Sequence, residues 1–164
     1  MRLFLLNAIS FCIPMALLAA EPENLLKPTN SVDSWRFELV EPAAGDAEAT
    51  EKGVKFTVTE VDGTNWHVQT FQTDLDLKEG QSYTVKFKAM APVYRSYQLV
   101  AGIDEDDWRE IGLHEDLTAS KTVSEESFTF TATGVAANKN RIGFVLGDEK
   151  GSLVIEDMTL TVAK

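Results

Sequence analysis

The chain has 164 residues, with 15 Lys and Arg against 26 Asp and Glu and a formal net charge of −11. That length suits one domain, and the acidic balance excludes nucleic acid, whose phosphates demand a basic face, and an electrostatic grip on anionic lipid. Hydrophobic residues at 44% can build a core, while one cysteine excludes a disulfide scaffold and a cysteine-rich zinc site.

Residues 1–20 have the layout of a secretory signal peptide. Arg2 supplies a positive start, an apolar stretch runs from Leu3 to Leu18, and Ala19-Ala20 precede the polar run Glu21-Pro22-Glu23-Asn24. Cleavage after Ala20 is the expectation. It leaves residues 21–164 as a single domain, secreted to an extracellular or periplasmic space, without cysteine. No later apolar run is long enough to cross a bilayer, so no membrane insertion is expected after signal cleavage.

The mature chain then alternates with a period of two. Trp35 comes first, as a core or sheet-edge residue. The best helical candidate is a short piece from Ala43 to Ala49, interrupted by Gly45. Val54, Phe56 and Val58 alternate with Lys55, Thr57 and Thr59. Tyr83, Val85, Phe87 and Ala89 form the next apolar row, followed by Tyr97, Leu99, Ala101 and Ile103. Phe128, Phe130 and Ala132, and then Ile142, Phe144 and Leu146, repeat the pattern. In the last segment Leu153 and Ile155 share one parity, whereas Met158, Leu160 and Val162 take the other. A bulge near Glu156-Asp157 explains the switch. Turn signals at Asp62-Gly63, Glu79-Gly80, Gly147-Asp148 and Lys150-Gly151 separate the runs. Roughly nine short antiparallel strands imply an all-β sandwich or barrel.

Catalytic constellations are missing. There is no GxSxG turn, no P-loop and no glycine-rich dinucleotide loop. His114-Glu115 begins like a zinc-protease helix, but no second histidine follows at the required spacing. Asp104, Asp106 and Glu115 fall at places 1, 3 and 12 of an EF-hand loop. Trp108 and Arg109 then occupy the places of a ligand and of the required glycine, so an EF-hand is not expected. The reading is a protein that is not an enzyme.

The binding argument rests on aromatic residues beside polar ones. A sugar exposes an apolar CH face, which a flat ring covers, and a rim of hydroxyls, which carboxylates, amides and guanidinium groups bond. Trp66 stands beside Asn65, His67 and Gln69. Trp108 stands among Asp106, Asp107, Arg109 and Glu115, and charged neighbours make its full burial costly. For Trp66 a core role and a platform role both remain open at this point. Tyr94 is a third candidate for exposure.

The pieces ENLL, GVKFTV, NWHVQ, LDLKEGQSYTVKFKAMA, FTFTAT, RIGFVLG and SLVIEDMTL occur in an order that resembles the carbohydrate-binding modules of families 4, 9 and 22. That resemblance implies a jelly-roll sandwich of the galactose-binding-like type. It also implies a polysaccharide or oligosaccharide partner, such as β-glucan or xylan. It carries a stacking role to Trp66 and a cleft role to Trp108, Glu115, Gln69 and Arg109. It further implies a structural calcium, with Asp157 as a ligand, although the Glu that opens the family's pattern is absent here. A second reading is a structural or protein-interaction sandwich of the cell envelope without glycan binding.

Overall fold

A computed structural model describes residues 22–163. The expected signal segment lies outside the described residues. Ten antiparallel strands build two five-stranded sheets: β1 Arg36–Leu39, β2 Ala44–Ala49, β3 Gly53–Glu60, β4 Val68–Leu75, β5 Ser82–Met90, β6 Arg95–Ile103, β7 Glu110–Ala119, β8 Ser124–Thr131, β9 Asn140–Val145 and β10 Gly151–Val162. One sheet has the order β1-β4-β9-β6-β7 and the other β2-β3-β10-β5-β8. This is the jelly-roll sandwich. The only helical pieces among the described residues are two single 3₁₀ turns, Val32–Ser34 and Asn65–His67. None of the described helices is long and apolar enough to cross a membrane.

The expected helical piece at Ala43–Ala49 is instead an edge strand, with Glu48 opposite Lys55 and Ala47 opposite Phe56. Alanine's helix propensity yields there to pairing with β3, which satisfies the backbone along its length. The alternating rows land on the inner faces as expected, except that Phe128 is half-buried and Val162, at the end of its strand, is exposed. Val54, Phe56, Val85, Phe87, Tyr97, Leu99, Ile142, Phe144, Leu153 and Leu160 are all buried. The parity switch in β10 is a bulge between Glu156 and Thr159, with Asp157 at φ 52°. It returns Met158 and Leu160 to the core.

Phe144 is the hub between the sheets. Its ring lies 5.2 Å from Phe87, 5.9 Å from Tyr97 and 6.1 Å from Trp35. Trp35 is 6% exposed, meets Phe56 edge-on at 5.5 Å and donates its indole N–H to the Thr29 carbonyl at 3.2 Å. It is a satisfied core tryptophan, and each such aromatic buries a large apolar area.

Two core side chains predict opposite outcomes. Phe144→Ala removes the hub and should cost about 3–5 kcal/mol in denaturant unfolding. The Tyr97 hydroxyl is buried with no partner among the described residues, and burial pushes its pKa up. Tyr97→Phe should therefore leave stability unchanged or raise it by about 1 kcal/mol. A loss of similar size would reveal a partner for that hydroxyl.

Candidate functional site

The inner rows of the β1-β4-β9-β6-β7 sheet fix what stands on its outer face, because side chains alternate and paired residues share a face. Glu38 pairs with Gln69, Gln69 with Val145, Val145 with Gln98, and Gln98 with Asp116. One row further, Arg36 pairs with Phe71, Phe71 with Gly143, Gly143 with Val100, and Val100 with His114. Arg141 stands opposite Gly102 in the row beyond. Phe71 and Val145 are buried, yet they belong to this outer face and lie outside the core cluster. Something above the sheet covers them.

Over Phe71 that cover is Arg141. Its guanidinium lies 4.0 Å from the Phe71 ring centre and 5.0 Å from the Trp108 ring. The residue is 8% exposed, and Nε is buried without a hydrogen-bond partner among the described residues. Its approach to Asp104 is long, at 3.9 Å. Asp104 is already held by both terminal nitrogens of Arg36. Arg36 Nε also stands 2.7 Å from Glu38 Oε1, as an ion pair whose angle does not make a hydrogen bond. Burial lowers the pKa of Arg141, against the fields of Glu38 and Asp104. A guanidinium has five N–H donors and does not deprotonate, and among the described residues none of the five is used here.

A cleft of about 560 Å³ opens above this floor, lined by Glu38, Val40, Trp66, Gln69, Trp108 and Arg141. Trp66 is 53% exposed and Trp108 is 55% exposed. Trp108 sits in the β6–β7 loop at φ 47°, directly after Asp107 at φ 75°. Two successive left-handed residues make a tight turn that aims the indole over Arg141. Trp66 projects from the 3₁₀ turn before β4. The His67 ring meets it edge-on at 4.2 Å, and His67 Nδ1 stands 2.7 Å from Asp62 Oδ2. Gln69 donates to Glu38 Oε2 at 2.9 Å.

The same face continues over β6 and β7. Gln98 accepts from Asn65 at 3.3 Å and donates to Asp116 at 2.9 Å. His114 Nδ1 lies 2.6 Å from Glu110 Oε1. The result is a polar trough with an aromatic wall at each end of the β1 side.

The structure brings together Trp66, Gln69 and Trp108 as expected, but not the other candidates. Arg109 turns away from the cleft: Nε donates to the Gly134 carbonyl at 2.9 Å and Nη1 to Asp107 at 2.7 Å. Glu115 pairs with Leu99 and so has the core-side parity of β7, whereas its neighbour His114 faces the trough. Asp157 binds Lys88 Nζ at 2.9 Å on the other sheet. Calcium takes about six to eight oxygen ligands. Among the described residues no three His, Cys, Asp or Glu side chains gather around one point, and an aspartate paired with an ammonium does not fit such a set. Arg141, Glu38 and Gln98 are trough residues that the motifs did not single out.

Asp62 supplies a pH test. The Thr64 backbone N–H, with His67 beside it, holds its carboxyl below the usual carboxylate range. A lowered pKa means that the bonds persist above the free value, near 3.9, and are lost as pH falls through the folded one. The Asp62 carboxyl carbon, followed by NMR, should titrate with a midpoint below that free value. A midpoint at or above the free value would contradict the assignment.

The family model described as a carbohydrate binding domain matches residues 27–151. No curated protein matches the chain. Among solved structures, a family-4 carbohydrate-binding module is 22% identical with a TM-score of 0.72, over 87% of this chain and 95% of that one. The N-terminal cellulose-binding domain of Cellulomonas fimi β-1,4-glucanase C is 16% identical with a TM-score of 0.65, over 88% and 99%. A Clostridium thermocellum xylanase 10B fragment with a family-22 module, complexed with xylohexaose, is 16% identical with a TM-score of 0.58, over 87% of this chain and 29% of that one. At these identities the structural likeness carries the fold alone. The family match covers most of the chain, including Trp66, Gln69, Trp108 and Arg141, and on that ground the chain belongs to the carbohydrate-binding domain family 4/9.

Proposed function

We propose that the domain binds a neutral β-linked polysaccharide, a β-glucan or a xylan, in the trough and performs no chemistry on it. The observation that carries this reading is a buried guanidinium, with no hydrogen-bond partner among the described residues, in a cleft lined by two half-exposed indoles. Trp66 and Trp108 offer flat faces to the CH sides of sugar rings. Arg141, Gln69, Gln98 and His114 stand where ring hydroxyls would lie, and Glu38 and Asp116 offer acceptors. Arg141 takes the role that the sequence suggested for Arg109, and His114 the role suggested for Glu115.

The polysaccharide class follows from charge. Glu38, Glu110 and Asp116 line the trough, and the whole chain is strongly acidic. Like charges disfavour uronate-rich polymers, so a neutral chain fits. The cellulose-binding and xylohexaose-bound relatives support a glucan or xylan. With residues 1–20 read as an export signal, the domain acts outside the cytoplasm, in the extracellular space or the periplasm.

The test is a pull-down of the 21–164 protein on cellulose, xylan, β-1,3-glucan, mannan and chitin. Selective binding to a β-glucan or xylan is expected. Trp66→Ala, Trp108→Ala and Arg141→Met should each weaken it by about tenfold or more, the loss typical of a central contact. Arg109→Ala and Glu115→Gln should change it by less than about twofold, because neither side chain faces the trough. Raising salt to about 0.5 M should leave binding intact, since neutral sugars feel little screening. Folded protein that binds none of the five polymers would favour the protein-interaction sandwich instead.

A further inference from the structure

The turn that joins β9 to β10 lies against the backbone that carries Trp66. It is held from beneath by a residue outside the trough. Arg95 opens β6 and is 2% exposed. Its guanidinium donates to backbone carbonyls of that turn: Nη1 to Gly151 at 2.7 Å, and Nη2 to Leu146 at 2.9 Å and Glu149 at 3.3 Å. The Glu149 carboxylate folds back over the start of β6, accepting from the Ser96 N–H at 2.5 Å and the Ser96 hydroxyl at 3.0 Å. Burying a charge is costly, and the carbonyls of the turn offset that cost by accepting from Arg95.

The same turn then grips the 3₁₀ segment. The Leu146 N–H donates to the Val68 carbonyl at 2.8 Å, and the Gly147 N–H to the Asn65 carbonyl at 3.0 Å. The approach is close enough to require glycine. A Cβ on Gly147 would collide with the Asn65 carbonyl oxygen and stand 2.8 Å from that of Thr64. The 3₁₀ segment has three residues and no side-chain cap, so it has little rigidity of its own. Its bearing on the turn supplies what it lacks.

We propose that Arg95 is a positioning residue for the Trp66 platform: it fixes the β9–β10 turn, and the turn fixes the backbone from which Trp66 projects. This rests on the reading of the trough as the glycan site. A merely structural role would lower stability and affect Trp66 and Trp108 alike. A positioning role couples to Trp66 alone.

A double-mutant cycle separates the two, read as affinity for cellohexaose and xylohexaose by calorimetry. Arg95→Lys keeps the charge and loses the fork. It should weaken binding by about fivefold to tenfold in the wild-type background and in Trp108→Ala, but by less than about twofold in Trp66→Ala. Equal losses in all backgrounds, or no loss in folded Arg95→Lys, would overturn the proposal. If Arg95→Lys does not fold, Gly147→Ala carries the same cycle, since it presses on Asn65 without touching the core. Acrylamide quenching in a Trp108→Phe protein gives a readout that needs no sugar. Trp66 should become measurably more quenchable both in Arg95→Lys and in Gly147→Ala, and quenching unchanged in Arg95→Lys would contradict the proposal. If neither hexaose binds the wild type, the glycan reading fails, and the quenching result alone decides the positioning claim.

Discussion

A guanidinium laid between two aromatic rings organises the ligand-facing side of this molecule. A sheet in a sandwich buries one face in the core and leaves the other to solvent. Here the outer face of the β1-β4-β9-β6-β7 sheet carries Phe71 and Val145, which the core does not reach. Arg141 covers Phe71 with its own cation and takes Trp108 as its second ring. Such a contact is worth more when desolvated than at an exposed surface. It also leaves the edge of the guanidinium free to donate. The tight left-handed turn at Asp107-Trp108 and the double grip of Arg36 on Asp104 follow as the means of keeping that stack in place.

Electrostatics then decides what the trough accepts. Arg36 consumes the acceptors of Asp104 and stands beside Glu38, so Arg141 has opposite charge nearby but no direct partner among the described residues. A cation compensated through space but not by hydrogen bonds can give its N–H groups to neutral hydroxyls without breaking an ion pair. Farther along, Glu110, His114, Gln98 and Asp116 form a chain of polar contacts facing the same way. The opposite sheet shows another character. Its outer face carries hydroxyl pairs such as Thr84 with Thr129 and Thr57 with Ser152, and no half-exposed tryptophan lies there.

Much of the fold was legible because each strand buries one face. The rows Tyr83-Val85-Phe87-Ala89 and Tyr97-Leu99-Ala101-Ile103 are the core as the alternation implies, and even the β10 bulge left its mark as a change of parity. Trp66 and Trp108 stood out because polar neighbours argue against burial. Arg141 was hidden by its strand: β9 is buried along its whole length, and Arg141 sits in a run that reads as core. The signal that could have found it was its parity, opposite to Ile142, Phe144 and Leu146. Glu115 was misplaced for a similar reason. It continues the inward row Ile111-Leu113, a parity that leaves its neighbour His114 facing outward. Arg109 was beyond such reasoning, because the left-handed turn before it sets its direction. The Arg95 anchor was equally hidden, since its partners are backbone carbonyls some 50 residues away along the chain.

On the proposed reading, sugar lies on the outer face of one sheet, against Trp66 and Trp108 and over Arg141. The direct measurement is a heteronuclear NMR titration of isotope-labelled protein with cellohexaose and with xylohexaose. Three tryptophans give three indole N–H signals. The Trp66 and Trp108 signals should move saturably, together with the amides of Gln69, Gln98, His114 and Arg141, while the Trp35 signal stays fixed. Shifts confined to the hydroxyl-lined sheet, or a moving Trp35 with Trp66 and Trp108 at rest, would contradict it.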